Sequence, residues 1–337
     1  MTEPVSSGLS LPAGCRFLVT GSAGFIGSAL VEDLVRGGFS VRGLDNLSTG
    51  RQENLDALAA LPGAAERFEA VRGDIRDLAT CRKAIEGVDY VLHQAALGSV
   101  PRSIEDPLTT NAANVDGTLN VLVAARDAGV RRVVYAASSS AYGDHPGLPK
   151  VEDRVGTPLS PYAVSKYVNE LYARVFESAY GLSAVGLRYF NVFGRRQDPH
   201  STYAAVIPKF VSALLRHEAP TIHGDGEQSR DFTYIDNVVL ANLLAAAAPE
   251  KASGAVYNVA CGERTTLNTL YGMIRDLLGR HDPEVRDIEP VHGPPRPGDV
   301  RHSLADISRI RDALGYRALA DTATGLERAI DWYRANL

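Results

Sequence analysis

Tyr162 and Lys166 stand four residues apart in the stretch SPYAVSK. Ser160 can cap a helix there, and Pro161 pre-sets its first turn. The two side chains then fall on one face, one turn apart. A free phenol has a pKa of about 10 and is a poor base at neutral pH. A fixed ammonium a few ångströms away stabilises phenolate and brings that value down by about 1–3. The pair is therefore a candidate general base near working pH. The spacing alone also fits an ordinary helix start. Position adds weight to it. The preceding stretch, YAASSSAYG, ends a strand with three hydroxyls, Ser138, Ser139 and Ser140. Any one of them could hydrogen-bond the oxygen that Tyr162 would deprotonate.

Positioning such a pair needs a scaffold, and the first half of the chain supplies an alternating pattern. RFLVT (16–20) reads as a strand and 25–36 as a helix, with Ile26, Ala29, Leu30 and Leu34 on one face. SVRGLD ends at Asp45 and FEAVRGD at Asp74; VDYVLHQAA follows a helical stretch at 78–85. A long helical pattern over 108–127 leads to RRVVYAASS, and another over 161–180 leads to SAVGLRYF. Short apolar strands separated by helices predict an α/β doubly wound parallel sheet, a Rossmann arrangement covered on both faces. Ligands of such sheets sit at the carboxyl ends of the strands, where Asp45, Asp74, Gln94 and Ser138 fall. Beyond Asn191 the pattern loosens and Pro and Gly thicken, which predicts a smaller, mixed C-terminal substrate domain. AVYNVA (255–260) still reads as a buried parallel strand. The expected division is 14–190 plus about 234–260 for one domain, and 191–233 plus 261–337 for the other.

The turn after the first strand, VTGSAGFIGSAL, carries Gly21, Gly24 and Gly27. Glycines there permit a tight turn and close approach of backbone to a pyrophosphate, which the free N–H groups of the helix start would face. Asp45, ending the second strand, is placed to hold adenosine ribose hydroxyls. A carboxylate repels a 2′-phosphate, so NAD is expected rather than NADP. Asp45 can also serve as a cap within DNLSTG. Asp74 could reach the adenine amino group or be a plain turn aspartate.

The 337 residues are 45% apolar and 22% charged, enough for a sizeable core without staples. A net charge of −5 without a basic run argues against nucleic acid. Cys15, Cys81 and Cys261 are scattered and form no C-x-x-C half-site, which fits a reducing, cytoplasmic setting. The eight histidines show no ligand spacing, so no metal is expected. MTEPVSSGLSLPAG lacks the basic start and apolar centre of a signal peptide. The most apolar run, 238–248, is too short to span a bilayer, so no membrane partner is expected.

Glycine turn, serines and Y-x-x-x-K together resemble the extended short-chain dehydrogenase/reductase family, specifically its NAD-dependent nucleotide-sugar 4-epimerases. The resemblance covers nearly the whole chain beyond the first dozen residues. It is carried by TGSAGFIGS, LDNLSTG, GDIRD, HQAALGSVPRS, NVDGTLNVL, ASSSAYGD, SPYAVSKYVNE, LRYFNVFG, GDGEQSRDFTYIDNV and RPGDVRHS. AALGSVPRSIEDP, YGDHPGLPKVED and FNVFGRRQDP look most like epimerases acting on UDP-N-acetylglucosamine and related acetamido sugars.

The resemblance implies Tyr162 as base, Lys166 as its partner and nicotinamide-ribose anchor, and Ser138 as the hydroxyl assisting at O4. Around the cofactor it implies Phe25 and Ile26 beside the glycines, then Asn46, Ser48, Thr49 and Gly50 after Asp45. Ile75 joins Asp74, and Gln94, Ala95, Ala96 and Tyr189 complete the set. For substrate it implies Ser99, Ser139 and Ser140 around the sugar, with Asn191, Ala205 and Val206. Arg230 and Arg296 would hold the diphosphate or sugar, with Asp299 near the uridine ribose. Paired guanidinium forks suit a diphosphate, although either arginine could instead pair with Asp231 or Asp299. The chain departs from the family at Ala113, where many relatives carry a polar side chain that reaches the cofactor.

The implied cycle oxidises the sugar 4-OH, turns the 4-keto sugar over and reduces its other face, so that NAD is regenerated each turn and can stay bound. Related 4,6-dehydratases carry an acidic pair after the catalytic hydroxyl, and UDP-glucuronate decarboxylases usually carry a glutamate. Ser139 and Ser140 occupy those positions here, which favours simple epimerisation. The position of Ser303 closes the sugar pocket in the family, and serine leaves room for a 2-acetamido group. UDP-GlcNAc and UDP-GalNAc are therefore expected substrates, with UDP-glucose and UDP-galactose also fitting. Three rivals remain. One is a UDP-uronic acid 4-epimerase, with Arg102 as the extra cation. Another is an NAD-dependent nucleotide-sugar oxidoreductase that releases its cofactor each turnover. The third is a non-catalytic dinucleotide-binding sensor. By family analogy the helices at 108–127 and 161–180 pair with a second copy, so a homodimer is expected.

Overall fold

The computed structural model describes residues 4–8, 11–12, 14–198, 205–295 and 300–337. Seven strands form one sheet, all paired parallel: β1 (Arg16–Thr20), β2 (Ser40–Asp45), β3 (Phe68–Arg72), β4 (Tyr90–His93), β5 (Arg132–Ser138), β6 (Ala184–Tyr189) and β11 (Val256–Val259). Their order is β11-β6-β5-β4-β1-β2-β3. It reverses direction between β1 and β4, the switch point where such sheets open a crevice for ligand.

The pleat sorts side chains onto two cores. Phe17 and Val19 of β1 face one core, packed with Leu30 and Leu34 of helix α1 (Phe25–Arg36). Leu18 between them faces the other, with Val91, Val133, Ile85 of α2 (Leu78–Ile85), and Val121 and Leu122 further along. Both faces are thus covered, which is why β4, β6 and β11 are buried at every residue.

The expected helix over 108–127 is present but carries a π-helical turn, and a short helix precedes it. α3 (Val100–Glu105) and α4 (Pro107–Asn111) come first, then a π-helical turn over Ala112–Asp116, then α5 (Gly117–Asp127). A cause lies in Asn114, whose buried amide hydrogen-bonds both backbone groups of Leu97 (2.7 and 3.1 Å) and Ser165 Oγ (3.1 Å). A wide turn of this kind marks a place where side-chain bonds override the helical ladder. The helix α6 (Pro161–Tyr180) is continuous, capped by Ser160 Oγ accepting from Ala163 N at 3.1 Å and closed by Gly181 in the left-handed region.

After β6 the strands are short. β7 (Val192–Phe193) pairs with β10 (Thr233–Tyr234), β8 (Thr221–His223) with β13 (Val291–Gly293), and β9 (Ser229–Arg230) with β12 (Thr265–Thr266). Helices α7 (Val206–Leu215) and α8 (Ile235–Ala247) run between them. α8 packs back on the large sheet and leads to β11. Among the described residues no helix is long and apolar enough to cross a membrane.

Candidate active site

Ser138 is the last residue of β5, and Tyr162 and Lys166 lie on the first turns of α6 beside it. The Ser138 hydroxyl acts on the Tyr162 phenol in the direction that favours its charged form. It also accepts from Ser140 N (3.2 Å) and from Ser140 Oγ (2.8 Å). Ser139 and Ser140 form the half-buried 3-10 turn that follows. Lys166 is buried, and its Nζ donates to the Ala136 carbonyl at 2.9 Å, which fixes the ammonium against β5. The sequence therefore placed these groups together, but its electrostatic expectation needs correction. Burial dominates at Tyr162 and pushes its pKa up, with the Ser138 hydroxyl working the other way. Burial also pulls Lys166 down to about 8. Desolvation penalises whichever form is charged, and here it acts on both members of the pair.

Behind them lies a buried polar chain. His93, at the end of β4, contacts Thr20 Oγ1 through Nδ1 (2.7 Å) and Thr118 Oγ1 through Nε2 (3.0 Å). Burial, and then the charge of Lys166, hold His93 neutral with a pKa of about 3. Thr20 directly precedes the glycine turn and accepts from Ala95 N at 3.2 Å.

The glycine turn joins β1 to α1. Gly21 has φ +71°, and a Cβ there would lie 2.8 Å from Ala95 N and 2.9 Å from its Cα. A Cβ on Gly27 would come within 2.0 Å of the Gly21 carbonyl oxygen. Gly24 begins the helix with no side-chain cap, so the first N–H groups are left to a ligand. A cavity of about 140 Å³ runs from Gly21 and Gly24 past Asp45, Asn46, Ser48, Thr49 and Gly50 to Asp74 and Ile75, and is closed by Gln94, Ala95, Ala96 and Ala113. Asp45 is buried and aimed by two backbone donors, Ala23 N (2.9 Å) and Leu47 N (2.7 Å). These features fit a dinucleotide: a bare helix start for phosphates and a carboxylate for ribose. Asp74 lines the same cavity but is engaged by Arg76 (2.6 Å) and Asn46 (2.9 Å), and Arg76 holds its carboxyl well below the usual range. Tyr189 donates to Gln94 Oε1 (3.1 Å) and accepts from Asn242 (2.8 Å), so it braces Gln94 rather than lining this cavity.

A second cavity of about 400 Å³ continues from the same glycines, adds Phe25, Ile26 and Gly27, and reaches Ser99, Arg102, Arg196, Gln197 and Ala205. A third, about 580 Å³, shares Gln197 and Ala205 with it and contains Asn191, Val206 and Arg230. Its other polar groups include Lys209, Arg216, His223 and Gln228, which the sequence reading missed. They sit on α7, β8 and the adjoining loops, where no motif spacing marks them. Asn191 donates to the Asp231 carbonyl at 3.2 Å. The Asp231 carboxylate accepts from the backbone N–H groups of Cys261, Gly262 and Ala305 at 3.0–3.2 Å, and burial pushes it up to about 6. Ser303 does not line the large cavity; its N–H donates to the Ser229 carbonyl (3.0 Å), next to Arg230. Ser138, Tyr162 and Lys166 line none of the three cavities; Ser138 stands at the carboxyl end of β5, an interior strand. Arg296 and Asp299 lie outside the described residues. Among the described residues no cluster of three or more His, Cys, Asp or Glu could hold a metal ion.

Sheet order, glycine turn and the Ser-Tyr-Lys cluster define a dinucleotide-dependent enzyme of the extended short-chain dehydrogenase/reductase class. Residues 17–260 match the NAD dependent epimerase/dehydratase family, and the chain belongs to that family, with NAD as its cofactor. The UDP-glucose 4-epimerase of Mycolicibacterium smegmatis is 39% identical over 95% of this chain and 98% of that protein. UDP-glucuronate 4-epimerase 3 of Arabidopsis thaliana is 33% identical over 97% of this chain and 78% of its own length. Among solved structures, the UDP-N-acetylglucosamine 4-epimerase from Methanobrevibacter ruminantium M1, in complex with UDP-N-acetylmuramic acid, is 41% identical with a TM-score of 0.88. It covers 96% of this chain and 99% of its own.

Proposed function

We propose that this chain is a UDP-sugar 4-epimerase that interconverts UDP-GlcNAc and UDP-GalNAc and also accepts UDP-glucose and UDP-galactose. The observation that carries the reading is the Ser138–Tyr162–Lys166 cluster, followed by serines rather than carboxylates at 139 and 140. Tyr162 takes the proton from the sugar 4-OH and returns it after the sugar has turned over. Ser138 hydrogen-bonds the same oxygen and keeps it in line with the phenol. NAD, when held by the glycine turn and Asp45, would supply reversible hydride chemistry at C4 with no net consumption. Lys166, fixed by the Ala136 carbonyl, would anchor the nicotinamide ribose. Gly21, Gly24, Phe25, Ile26 and Gly27 would hold the pyrophosphate, and Asp45 the adenosine ribose. Arg230 and Asn191 would hold the substrate diphosphate within the large cavity. Residues 14–190 with about 234–260 would form the cofactor domain, and 191–233 with 261–337 the sugar-nucleotide domain.

An acetamido substrate is supported by the small side chain at Ser303, beside Ser229, and by the likeness to the M. ruminantium enzyme. One observation favours a UDP-uronic acid as a second reading: Arg102 lines the middle cavity with Ser99. A homodimer is supported by the exposed apolar side chains Ile104, Leu108, Val164, Leu171 and Val175, which lie on the mutually packed α3, α4 and α6. The setting we infer is cytoplasmic.

The decisive experiment is incubation with UDP-GlcNAc, without added nicotinamide or reductant, and separation of the UDP-sugars. A UDP-GalNAc peak is expected. No peak with UDP-GlcNAc but turnover of UDP-glucuronate would move the function to the second reading. A requirement for stoichiometric nicotinamide would make the protein an ordinary dehydrogenase.

A further inference from the structure

The arginines of FNVFGRRQDP take no part in the proton and hydride transfers above, although Arg196 lines the second cavity, and both are largely shielded from solvent. Arg196 donates to Glu32 Oε2 at 2.7 Å and to the Ser28 carbonyl at 3.4 Å. Arg195 approaches the same Glu32 oxygen at 3.6 Å and bonds Asp236, in the first turn of α8, at 2.7 Å. Glu32 and Ser28 belong to α1, the helix that opens at the glycine turn. Two arginines from one loop therefore converge on one carboxylate of the cofactor-side helix.

The backbone is distorted to make this contact. Arg196 has φ +67°, a region that non-glycine residues avoid. Such conformations persist where surrounding contacts over-determine them. The next residue, Gln197, lines both the 400 Å³ and the 580 Å³ cavities. It is further held by its amide on the Val192 carbonyl (3.0 Å) and by Tyr333 Oη on its Oε1 (3.3 Å). The wall shared by the two cavities thus hangs from α1 through the arginine pair.

We infer that Glu32, Arg195 and Arg196 form a clasp that positions the Gln197 wall, so that affinity for the nucleoside-diphosphate part of the substrate depends on an ion pair outside the binding cavity's chemistry. Glu32 and Arg196 are positioning residues: they need not touch a reacting atom. Burial, and after it the charge of Arg195, work against the charge of Arg196, and Glu32 offsets part of that effect. The pair is therefore expected to act as a unit, each residue losing its effect when the other is removed. This inference rests on reading the large cavity as the UDP site.

The test is calorimetric titration of UDP alone into the NAD-loaded enzyme and into Glu32→Gln, Arg196→Gln and the double variant, with bound NAD measured by extraction. Each single variant should weaken UDP about tenfold, raise KM for the UDP-sugar by a similar factor and alter kcat less. Bound NAD should stay at the level of the unaltered enzyme in Glu32→Gln, since Glu32 lines none of the three cavities, and the double variant should be no weaker than Arg196→Gln. Arg196→Lys, which keeps the charge but not the fork, should fall between. It also serves if a glutamine variant does not fold. UDP affinity within twofold of normal in the variants, or penalties that multiply in the double variant, would overturn the clasp. Failure of the unaltered enzyme to bind UDP would overturn the reading of the cavity itself, and the clasp with it.

Discussion

Arg188 and Glu170 form a two-pronged pair of 2.8 and 2.6 Å, with both side chains almost wholly buried. Glu170 lies one turn beyond Lys166 on α6, and Arg188 lies on β6 beneath it. Arg188 also donates to the Glu152 carbonyl (2.9 Å) and packs over the Tyr142 ring. The pair ties α6 to β6 one turn beyond Lys166. Removing one member of a buried pair leaves an uncompensated charge, at a cost of about 3–5 kcal/mol. Glu170→Ala should therefore lower the urea midpoint sharply. Chemical denaturation at constant m-value checks it, and an unshifted midpoint would show that the pair anchors nothing.

Tyr162→Phe removes one oxygen from a half-buried ring and leaves the helix intact. Loss of a positioned general base typically costs about 10²–10⁴ in rate. The expected outcome is kcat reduced by that factor with an unchanged circular dichroism spectrum. Retention of more than a tenth of the activity would transfer the base role elsewhere.

Lys166 carries a stability penalty as well as a function. Its folded-state pKa, about 8, lies below the ordinary 10.5. The unfolded chain thus binds the proton more tightly. The penalty is complete below pH 8 and is relieved as pH rises from about 8 toward 10.5. At pH 7 it amounts to about 3 kcal/mol, partly offset by the hydrogen bond to Ala136. Lys166→Met should then be inactive yet more stable than the unaltered enzyme at pH 7, by about 1–2 kcal/mol. Thermal unfolding at pH 7 and pH 10 checks the sign: the advantage should shrink at pH 10.

Ser303 stands beside Ser229 rather than in the wall of the large cavity. If it limits the sugar pocket, Ser303→Tyr should cost about 1–3 kcal/mol of overpacking with UDP-GlcNAc, roughly 5- to 160-fold in kcat/KM. UDP-glucose turnover should change less. Equal losses on both substrates would remove Ser303 from the specificity account.

Local pattern carried much of this molecule. The strand and helix at 16–20 and 25–36, the glycines between them and the helix capped by Ser160 were legible because each depends on neighbours within a few residues. Alternation of strand and helix then constrained the sheet, since parallel crossovers have one hand. The meeting of Ser138 with Tyr162 was foreseeable for the same reason: β5 feeds α6 through a single connection.

The tertiary structure decided what depends on distant partners. The π-helical turn at Ala112–Asp116 accompanies Asn114 reaching Leu97 and Ser165, which no periodicity registers. The raised pKa of Tyr162 and the lowered one of Lys166 follow from burial, a property of the packed whole rather than of a four-residue spacing. The cations of the large cavity and the arginine clasp on Glu32 gather from segments up to about 160 residues apart. Such contacts exist only after the chain has closed on itself, because side-chain electrostatics act across space while sequence motifs record only local order.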